Sequence, residues 1–282
     1  MTTYMFPGQG SQSRGMGKDL FSAYPEMVAQ ADEILGYSIE TLCVSDPQQQ
    51  LNLTEFTQPA LYTVNALSYL ARIRDGAPKP AYVIGHSLGE YNALHAAGVF
   101  DFQTGLRLVA RRGRMMGQAR NGGMAAVIGM DEEKTRATLM DAGSDDVDIA
   151  NINSPEQTVI SGPRETINRL QTAFEAAGTR LYVVLNVSAA FHSRYMAESG
   201  KDFARYLETF SFQAPSIPVI SNLTGRPYHV AETAALLAGQ VTGPVRWCES
   251  IRYLMSMGES NFEEIGPGMI LSGLVRVIRA QS

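Results

Sequence analysis

A five-residue turn constrains the fold of this chain more than any other segment. Gly85-His86-Ser87-Leu88-Gly89 joins an apolar run at 80–84, which predicts a buried strand, to a helical run at 90–97. A sharp strand-to-helix turn forces unusual backbone angles, and side chains two residues either side of its centre would collide with it. The strand before and the helix after favour a nucleophile elbow over an ordinary turn, with Ser87 exposed at a helix N-terminus, where free N–H groups face developing negative charge.

Strands and helices alternate around this turn, which predicts an α/β fold with a mostly parallel sheet. Its strands are predicted at 1–6, 80–84, 219–221 and 262–265, and its helices at 20–35, 57–73, 90–97, 101–118, 194–209, 230–241 and 247–257. The middle of the chain instead follows the order β-α-β-β-α-β, with strands at 124–130, 147–153, 157–161 and 180–187. That order is typical of a ferredoxin-like unit. We therefore predict a small domain, residues 124–188, inserted into a larger α/β domain formed by residues 1–123 and 189–282.

The composition excludes several classes of protein. Hydrophobic residues make up 45% of the 282 residues and charged residues 18%, which excludes an intrinsically disordered chain. A net charge of −5 does not favour nucleic-acid binding. Cys43 and Cys248, without a CxxC pair, exclude a disulfide scaffold and a cysteine zinc site. Because the sequence shows neither a signal peptide nor an apolar run of bilayer length, we expect a cytoplasmic protein that binds no membrane.

A serine nucleophile needs a base, and the chain has four histidines from which to choose. His86 lies inside the turn, where its side chain should point away from that of Ser87. His95 faces a run of alanines on the following helix, and His229 lies in a predicted surface loop. His192 follows the last strand of the inserted unit, at a domain junction, where pockets are common. We therefore predict His192 as the base, oriented either by a carboxylate that the sequence does not identify or by a backbone carbonyl.

The segment Phe6–Gln12, which reads FPGQGSQ, follows the first predicted strand. It is not a dinucleotide-binding fingerprint, because the third glycine of that pattern would fall on Ser13. A polar residue between glycines after a strand can instead present its backbone N–H to an oxyanion. Gln9 and Leu88 would supply such a pair of N–H groups; a plain strand-to-loop turn is the alternative.

The helix predicted at 101–118 carries four arginines, and one of them lies outside its polar face. Its other three arginines share a polar stripe, whereas Arg112 lies among apolar neighbours on the opposite side. A buried arginine is costly unless it is paired. Arg112 therefore either meets a buried aspartate or glutamate or binds an anionic ligand, since a guanidinium fits a carboxylate with two parallel hydrogen bonds.

Taken together, these segments resemble the malonyl-CoA:acyl-carrier-protein transacylase family over nearly the whole chain. The resemblance rests on FPGQGSQ at 6–12, GHSLGE at 85–90, Arg112-Gly113, NSP at 153–155, AFHS at 190–193, PVRW at 244–247 and EIGPG at 264–268. It implies a hydrolase-like core with a ferredoxin-like insert. It also implies Ser87 as the acyl-carrying nucleophile, His192 as its base, the Gln9 and Leu88 N–H groups as the oxyanion hole and Arg112 as the clamp on the malonyl carboxylate. A backbone carbonyl from Pro244–Trp247 would orient the histidine.

Residues 189–192, AAFH, are similar to the malonyl-selecting pattern of polyketide-synthase acyltransferases, in which a phenylalanine crowds out an α-methyl group. The resemblance thus assigns Phe191 to substrate selection, and we place His86 with Arg112 and Phe191 among the substrate-binding residues. Since no ketosynthase or carrier sequence accompanies the domain, we expect a discrete enzyme that serves a polyketide synthase in trans.

The resulting hypothesis is a ping-pong transfer of malonyl from malonyl-CoA to the phosphopantetheine thiol of an acyl carrier protein, by a monomer with no cofactor and no metal. The alternative is an acyl hydrolase, either an esterase or a proofreading enzyme, with the same Ser87 and His192 site. A carrier-docking protein with a relic site is a further alternative. An acidic carrier would need a basic patch, for which the candidates are Arg246, Arg252, Arg276 and Arg279.

Overall fold

The computed structural model describes residues 1–281, which form two separate four-stranded sheets surrounded by helices. The strands are β1 (Thr2–Phe6), β2 (Tyr82–Gly85), β3 (Gly122–Ile128), β4 (Asp148–Ser154), β5 (Gln157–Pro163), β6 (Leu181–Val184), β7 (Val219–Ile220) and β8 (Asn261–Glu264). The helices are α1 (Lys18–Phe21), α2 (Pro25–Leu35), α3 (Ile39–Val44), α4 (Thr54–Arg74), α5 (Gly89–Ala96), α6 (Phe102–Gln118), α7 (Glu132–Asp141), α8 (Arg164–Ala176), α9 (Ala197–Leu207), α10 (Thr233–Thr242), α11 (Trp247–Ser256) and α12 (Ile270–Ala280). Within this part of the chain, no helix has both the length and the apolar character needed to cross a membrane.

The first sheet is parallel, with strand order β7-β2-β1-β8. Its central strands carry runs of buried apolar residues, as expected for a parallel sheet that is covered on both faces. Phe6 pairs with Gly85 at the carboxyl ends of β1 and β2. Two loops therefore leave the sheet side by side, the one that contains Gln9 and the one that contains Ser87. Ligands bind at this edge in open α/β sheets.

The second sheet is antiparallel, with strand order β4-β5-β3-β6. Its chain order, β3-α7-β4-β5-α8-β6, is the ferredoxin-like order, and α8 packs Ile167, Leu170 and Phe174 into the core beneath it. One parallel and one antiparallel sheet confirm the predicted fold class. The division into domains at residues 123/124 and 188/189 stays a prediction, and β3 itself begins at Gly122.

Several predicted helix boundaries were wrong. The run at 20–35 is interrupted, because Pro25 lacks an N–H and excludes Tyr24 from the helical region; α1 ends at Phe21 and α2 begins at the proline. Helix α4 begins at Thr54, three residues earlier than predicted. The sequence reading also missed α3, which Ser38 caps by accepting a hydrogen bond from the backbone N–H of Thr41, and α12.

Candidate active site

The turn between β2 and α5 is a strained elbow centred on Ser87. The φ angle of Ser87 is +51°, in the left-handed region that residues other than glycine rarely adopt. A Cβ atom at Gly85 would lie 1.9 Å from the carbonyl carbon of Gly89, and one at Gly89 would lie 2.0 Å from the carbonyl oxygen of Phe6. Both glycines are therefore required by close backbone packing, as predicted from their places either side of the turn.

Two side chains from distant parts of the chain hold the elbow in place. Asn222 accepts a hydrogen bond from the backbone N–H of Ser87 at 2.7 Å and donates one to the carbonyl oxygen of Gly85 at 2.6 Å. Gln240 on α10 donates to the carbonyl oxygen of Ser87 at 2.9 Å. The sequence reading identified neither residue, because each lies more than 130 positions from the serine and neither forms part of a recognisable pattern around the turn.

The structure brings His192 to the serine. The Oγ atom of Ser87 lies 2.8 Å from Nε2 of His192, and Nδ1 of the same ring lies 2.8 Å from the carbonyl oxygen of Gln240. Because Nδ1 donates to a carbonyl, the lone pair of Nε2 faces the hydroxyl. The expected source of that carbonyl, Pro244–Trp247, was wrong. Gln240 supplies it because it lies in the last turn of α10, where backbone carbonyls lack intrahelical partners.

The surroundings keep the imidazole neutral. Burial and the nearby charge of Arg112 lower the pKa of His192 to about 3, against the opposing effect of hydrogen bonds to the backbone carbonyls of Gln240 and Gly243. A neutral imidazole with a free lone pair can accept the serine proton at neutral pH. The arrangement is therefore suited to general-base activation of Ser87.

Arg112 is buried directly beside the nucleophile, with 1% of its surface exposed. Its guanidinium donates to the side-chain oxygens of Gln58 at 2.7 Å and Gln240 at 2.9 Å, and to Oγ of Ser87 at 3.1 Å. Within residues 1–281, no carboxylate lies within ion-pair distance of it, and its Nε has no hydrogen-bond partner. Of the two alternatives for Arg112, the structure thus favours the anionic ligand over the buried acid.

Gln9 and Leu88 line the same cavity as Ser87. Leu88 caps α5, and Gln9 lies in the loop after β1. In the described part of the chain, neither N–H has a hydrogen-bond partner, although Gly8 approaches the elbow so closely that a Cβ atom there would lie 2.4 Å from the carbonyl oxygen of His86. Unpartnered N–H groups that line the cavity of a serine nucleophile are available to form an oxyanion hole.

These groups line one cavity of about 110 Å³ between the two sheets. All seven residues predicted for the site lie along it: Gln9, His86, Ser87, Leu88, Arg112, Phe191 and His192. The antiparallel unit and the segment after it supply the opposite wall, with Met124, Asn151, Leu185 and Val187. The facing wall is thus apolar except for Asn151.

His86 and Phe191 occupy the margins of this cavity. Nε2 of His86 lies 2.8 Å from the side-chain oxygen of Asn153, and its ring packs 5.6 Å from that of Trp247. Burial lowers the pKa of His86, so its ring is neutral as well. Phe191 is buried immediately before His192.

The sequence reading missed Gln58, whose only signal is that an amide stands among apolar residues on the buried face of α4.

The fold and this serine–histidine–arginine arrangement define an acyl transferase, and the chain belongs to the acyl transferase domain family, whose model matches residues 3–276. It is 53% identical over 280 residues to the polyketide biosynthesis malonyl CoA-acyl carrier protein transacylase PksC of Bacillus subtilis, a match that covers 99% of this chain and 97% of that protein.

Two solved structures resemble it over nearly their whole length. A malonyl CoA-acyl carrier protein transacylase from Burkholderia pseudomallei has a TM-score of 0.97 and 50% identity, covering 100% of this chain and 99% of that one. A type II polyketide synthase acyl-carrier protein in complex with its malonyl-transacylase gives a TM-score of 0.93 and 35% identity, covering 98% of this chain and 92% of that one.

Proposed function

We propose that this enzyme transfers a malonyl group from malonyl-CoA to the phosphopantetheine thiol of an acyl carrier protein, through a malonyl ester on Ser87. The observation that carries the proposal is the buried guanidinium of Arg112, 3.1 Å from Oγ of Ser87 and held by neutral amides rather than by a carboxylate. An acyl group that bears its own carboxylate would supply the missing anion. The names of the related transacylases agree with this chemistry.

The first half-reaction loads the serine. His192 accepts the proton of Oγ as that oxygen forms a bond to the thioester carbonyl carbon of malonyl-CoA. The carbonyl oxygen takes the negative charge, and the N–H groups of Gln9 and Leu88 donate to it. The carbon–sulfur bond then breaks, the proton on His192 passes to the departing thiolate, and malonyl remains as an ester on Ser87.

The second half-reaction repeats these steps with the carrier. His192 accepts the proton of the phosphopantetheine thiol, whose sulfur attacks the ester carbonyl carbon, and the same two N–H groups stabilise the second oxyanion. When the carbon–oxygen bond breaks, the proton returns from the imidazole to Oγ. Each half-reaction is balanced by one proton that moves onto His192 and off again, so the residues of the chain suffice for both.

Substrate selection follows from the walls of the cavity. Arg112 would bind the malonyl carboxylate with two parallel hydrogen bonds, and an acetyl group would leave its charge unpaired. Phe191 would exclude an α-methyl group, and His86 would close the same side of the cavity. The AAFH pattern and the name of the Bacillus subtilis relative support a role in polyketide biosynthesis.

The partner and setting of the enzyme are part of the proposal. The carrier-bound transacylase that it resembles supports an acyl carrier protein as the partner. Cys43 and Cys248 are free and buried, which suits a reducing, cytoplasmic compartment. We also propose a monomer, which light scattering tests directly.

The decisive experiment is the intact mass of the protein after incubation with malonyl-CoA. We expect a gain of one malonyl group in the native enzyme and none in Ser87→Ala, which differs from it by a single oxygen. Addition of an acyl carrier protein should then move the malonyl group onto the carrier faster than water removes it. If the adduct survives in Ser87→Ala, or if water removes malonyl before the carrier does, the proposal is wrong; the second result would establish the acyl hydrolase instead.

A further inference from the structure

A buried carboxylate lies beneath the site and takes no part in the chemistry described so far. Glu90 lies on α5, three residues after the nucleophile, with none of its surface exposed. One of its oxygens accepts hydrogen bonds from the backbone N–H of Asn222 and the hydroxyl of Tyr228, each at 2.8 Å. The other accepts one from the side-chain amide of Gln240. A charged group is rarely kept in such a place without a partner or a purpose.

The side chain of Gln240 connects this carboxylate to the arginine. Its nitrogen donates to Glu90, and its oxygen accepts from Arg112 at 2.9 Å. One amide therefore separates the buried anion from the buried cation. Glu90 and Arg112 remain an electrostatic pair, although they do not touch.

The hydrogen bonds around Glu90 permit only one orientation of that amide. The backbone N–H of Asn222 can only donate, so the carboxyl oxygen facing it has to accept. The second oxygen must also accept if Gln240 is to turn its nitrogen toward Glu90 and its oxygen toward Arg112. An ionised carboxylate accepts on both oxygens and donates from neither. An amide at position 90 would place a donor against a donor at one end.

We propose that Glu90 is a positioning residue for acyl-group selection, which acts on Arg112 through the side chain of Gln240. The inference rests on the proposed malonyl transfer. The Glu90 carboxylate, together with the carbonyl oxygen of Ser87, fixes the amide of Gln240. The amide oxygen and Gln58 in turn hold the guanidinium toward Ser87. Direct contact between Glu90 and Arg112 would instead occupy the donors that the substrate carboxylate needs. The intervening amide offsets part of the cost of burying the cation and leaves it available to the malonyl group.

The test compares two acyl donors on one variant. Native enzyme and Glu90→Gln are mixed with malonyl-CoA or acetyl-CoA at about pH 8, because burial raises the pKa of Glu90 to about 7 and the carboxylate is ionised above it. The rate of acyl-enzyme formation is followed by rapid quench and intact mass. A misplaced bond to a charged group costs about tenfold to a hundredfold in binding. We expect the malonyl-to-acetyl rate ratio to fall by at least about tenfold, with acetyl loading changed much less.

Two further variants separate positioning from folding. Gln240→Met keeps the backbone carbonyl that faces His192 but removes the amide, so the ratio should fall as it does in Glu90→Gln. The exchange Glu90→Gln with Gln240→Glu preserves the number of hydrogen-bonding groups but places the carboxylate directly against Arg112. Because the anion then occupies the guanidinium, the exchanged protein should stay folded, by circular dichroism, yet should not recover the preference for malonyl.

Tyr228→Phe is the matched control, because it removes a hydrogen bond from the far oxygen of Glu90 and leaves the side facing Gln240 intact. We expect its ratio to stay within about twofold of the native value, since the lost bond lies on the oxygen that does not face the amide of Gln240. The proposal is overturned if Glu90→Gln, or Gln240→Met where the former does not fold, keeps the native ratio or loses both activities equally. If the native enzyme itself forms no malonyl ester, the proposed function fails before Glu90 is tested.

Discussion

Replacing Arg112 should convert a malonyl-selective site into one that no longer distinguishes acyl charge. In Arg112→Met the substrate carboxylate loses two charge-assisted hydrogen bonds, each worth about 1.5 kcal/mol or more. The combined loss of about 3 kcal/mol corresponds to at least about a hundredfold in malonyl loading. Acetyl loading should stay level or rise, because the neutral acyl group no longer faces an unpaired guanidinium.

Arg112→Lys should fall between the native enzyme and Arg112→Met. An ammonium group keeps the positive charge but cannot form two parallel bonds with one carboxylate, so about one bond, or roughly tenfold, should be lost. The structure shows why the long side chain matters: the guanidinium spans Gln58, Gln240 and Ser87 at once. A lysine donates from one nitrogen atom, which cannot span all three partners.

The assay is the rate of acyl-enzyme formation with malonyl-CoA and with acetyl-CoA. Arg111→Met is the matched control, because Arg111 is the next residue on α6 but is exposed, over the ring of Tyr206. It should leave both rates within about twofold, as expected of an exposed charge. Equal losses of malonyl and acetyl loading in Arg112→Met would refute the clamp, because they would show that the arginine supports the fold or the nucleophile rather than the substrate carboxylate.

The remaining predictions concern stability and selectivity. His192 has a pKa near 3 when folded and near 6.5 when unfolded, so the unfolded chain gains a proton that the folded one does not; from pH 7 to pH 5 this lowers the free energy of unfolding by about 2 kcal/mol. Denaturant titrations of His192→Gln should show that much less pH dependence. Gly89→Ala should yield no folded protein, because its Cβ would lie 2.0 Å from a carbonyl oxygen, whereas Gly273→Ala, with open space around it in α12, should raise the free energy of unfolding by about 0.5 kcal/mol. Phe191→Ala should admit methylmalonyl-CoA, measured as a rise in the methylmalonyl-to-malonyl loading ratio.

Each of these predictions has an outcome that contradicts it. Identical pH dependence in His192→Gln and the native protein would mean that the imidazole is not kept neutral by burial. A folded, active Gly89→Ala would show that the elbow tolerates a side chain. Unchanged loading ratios in Phe191→Ala would remove this residue from substrate selection.

The residues that a local pattern marks could be predicted from the sequence, and those that act across the fold could not. The elbow was predictable because the collision that excludes a side chain from Gly85 arises within the turn itself, whereas the one at Gly89 is with the carbonyl oxygen of Phe6 and could not be seen in the sequence. His192 followed from having only four histidines and from its place after the inserted unit. Arg112 was identified because a charge on an apolar helical face is conspicuous in any amphipathic pattern.

Gln240 shows why the other functional residues could not be predicted from the sequence. It lies in a weakly patterned helix more than 130 residues from the elbow, yet one side chain and one carbonyl contact Ser87, Glu90, Arg112 and His192. Glu90 ends the motif GHSLGE, but nothing in the sequence shows which groups contact it in the core. The orienting carbonyl was misplaced for a related reason: backbone groups carry no sequence signal of their own, and only the end of α10 in space reveals which one is free.

The placement of the cavity between two independently built sheets has a consequence for how such enzymes diversify. The bond-making atoms belong to one scaffold, whereas Met124, Asn151, Leu185 and Val187 belong to the antiparallel unit and the segment after it. Substitutions in the antiparallel unit can therefore change the volume available to an acyl group without changing the geometry of the reacting atoms. Exchanging the antiparallel unit for that of a homologue that accepts a different acyl group is therefore a direct way to change the acyl specificity of this enzyme.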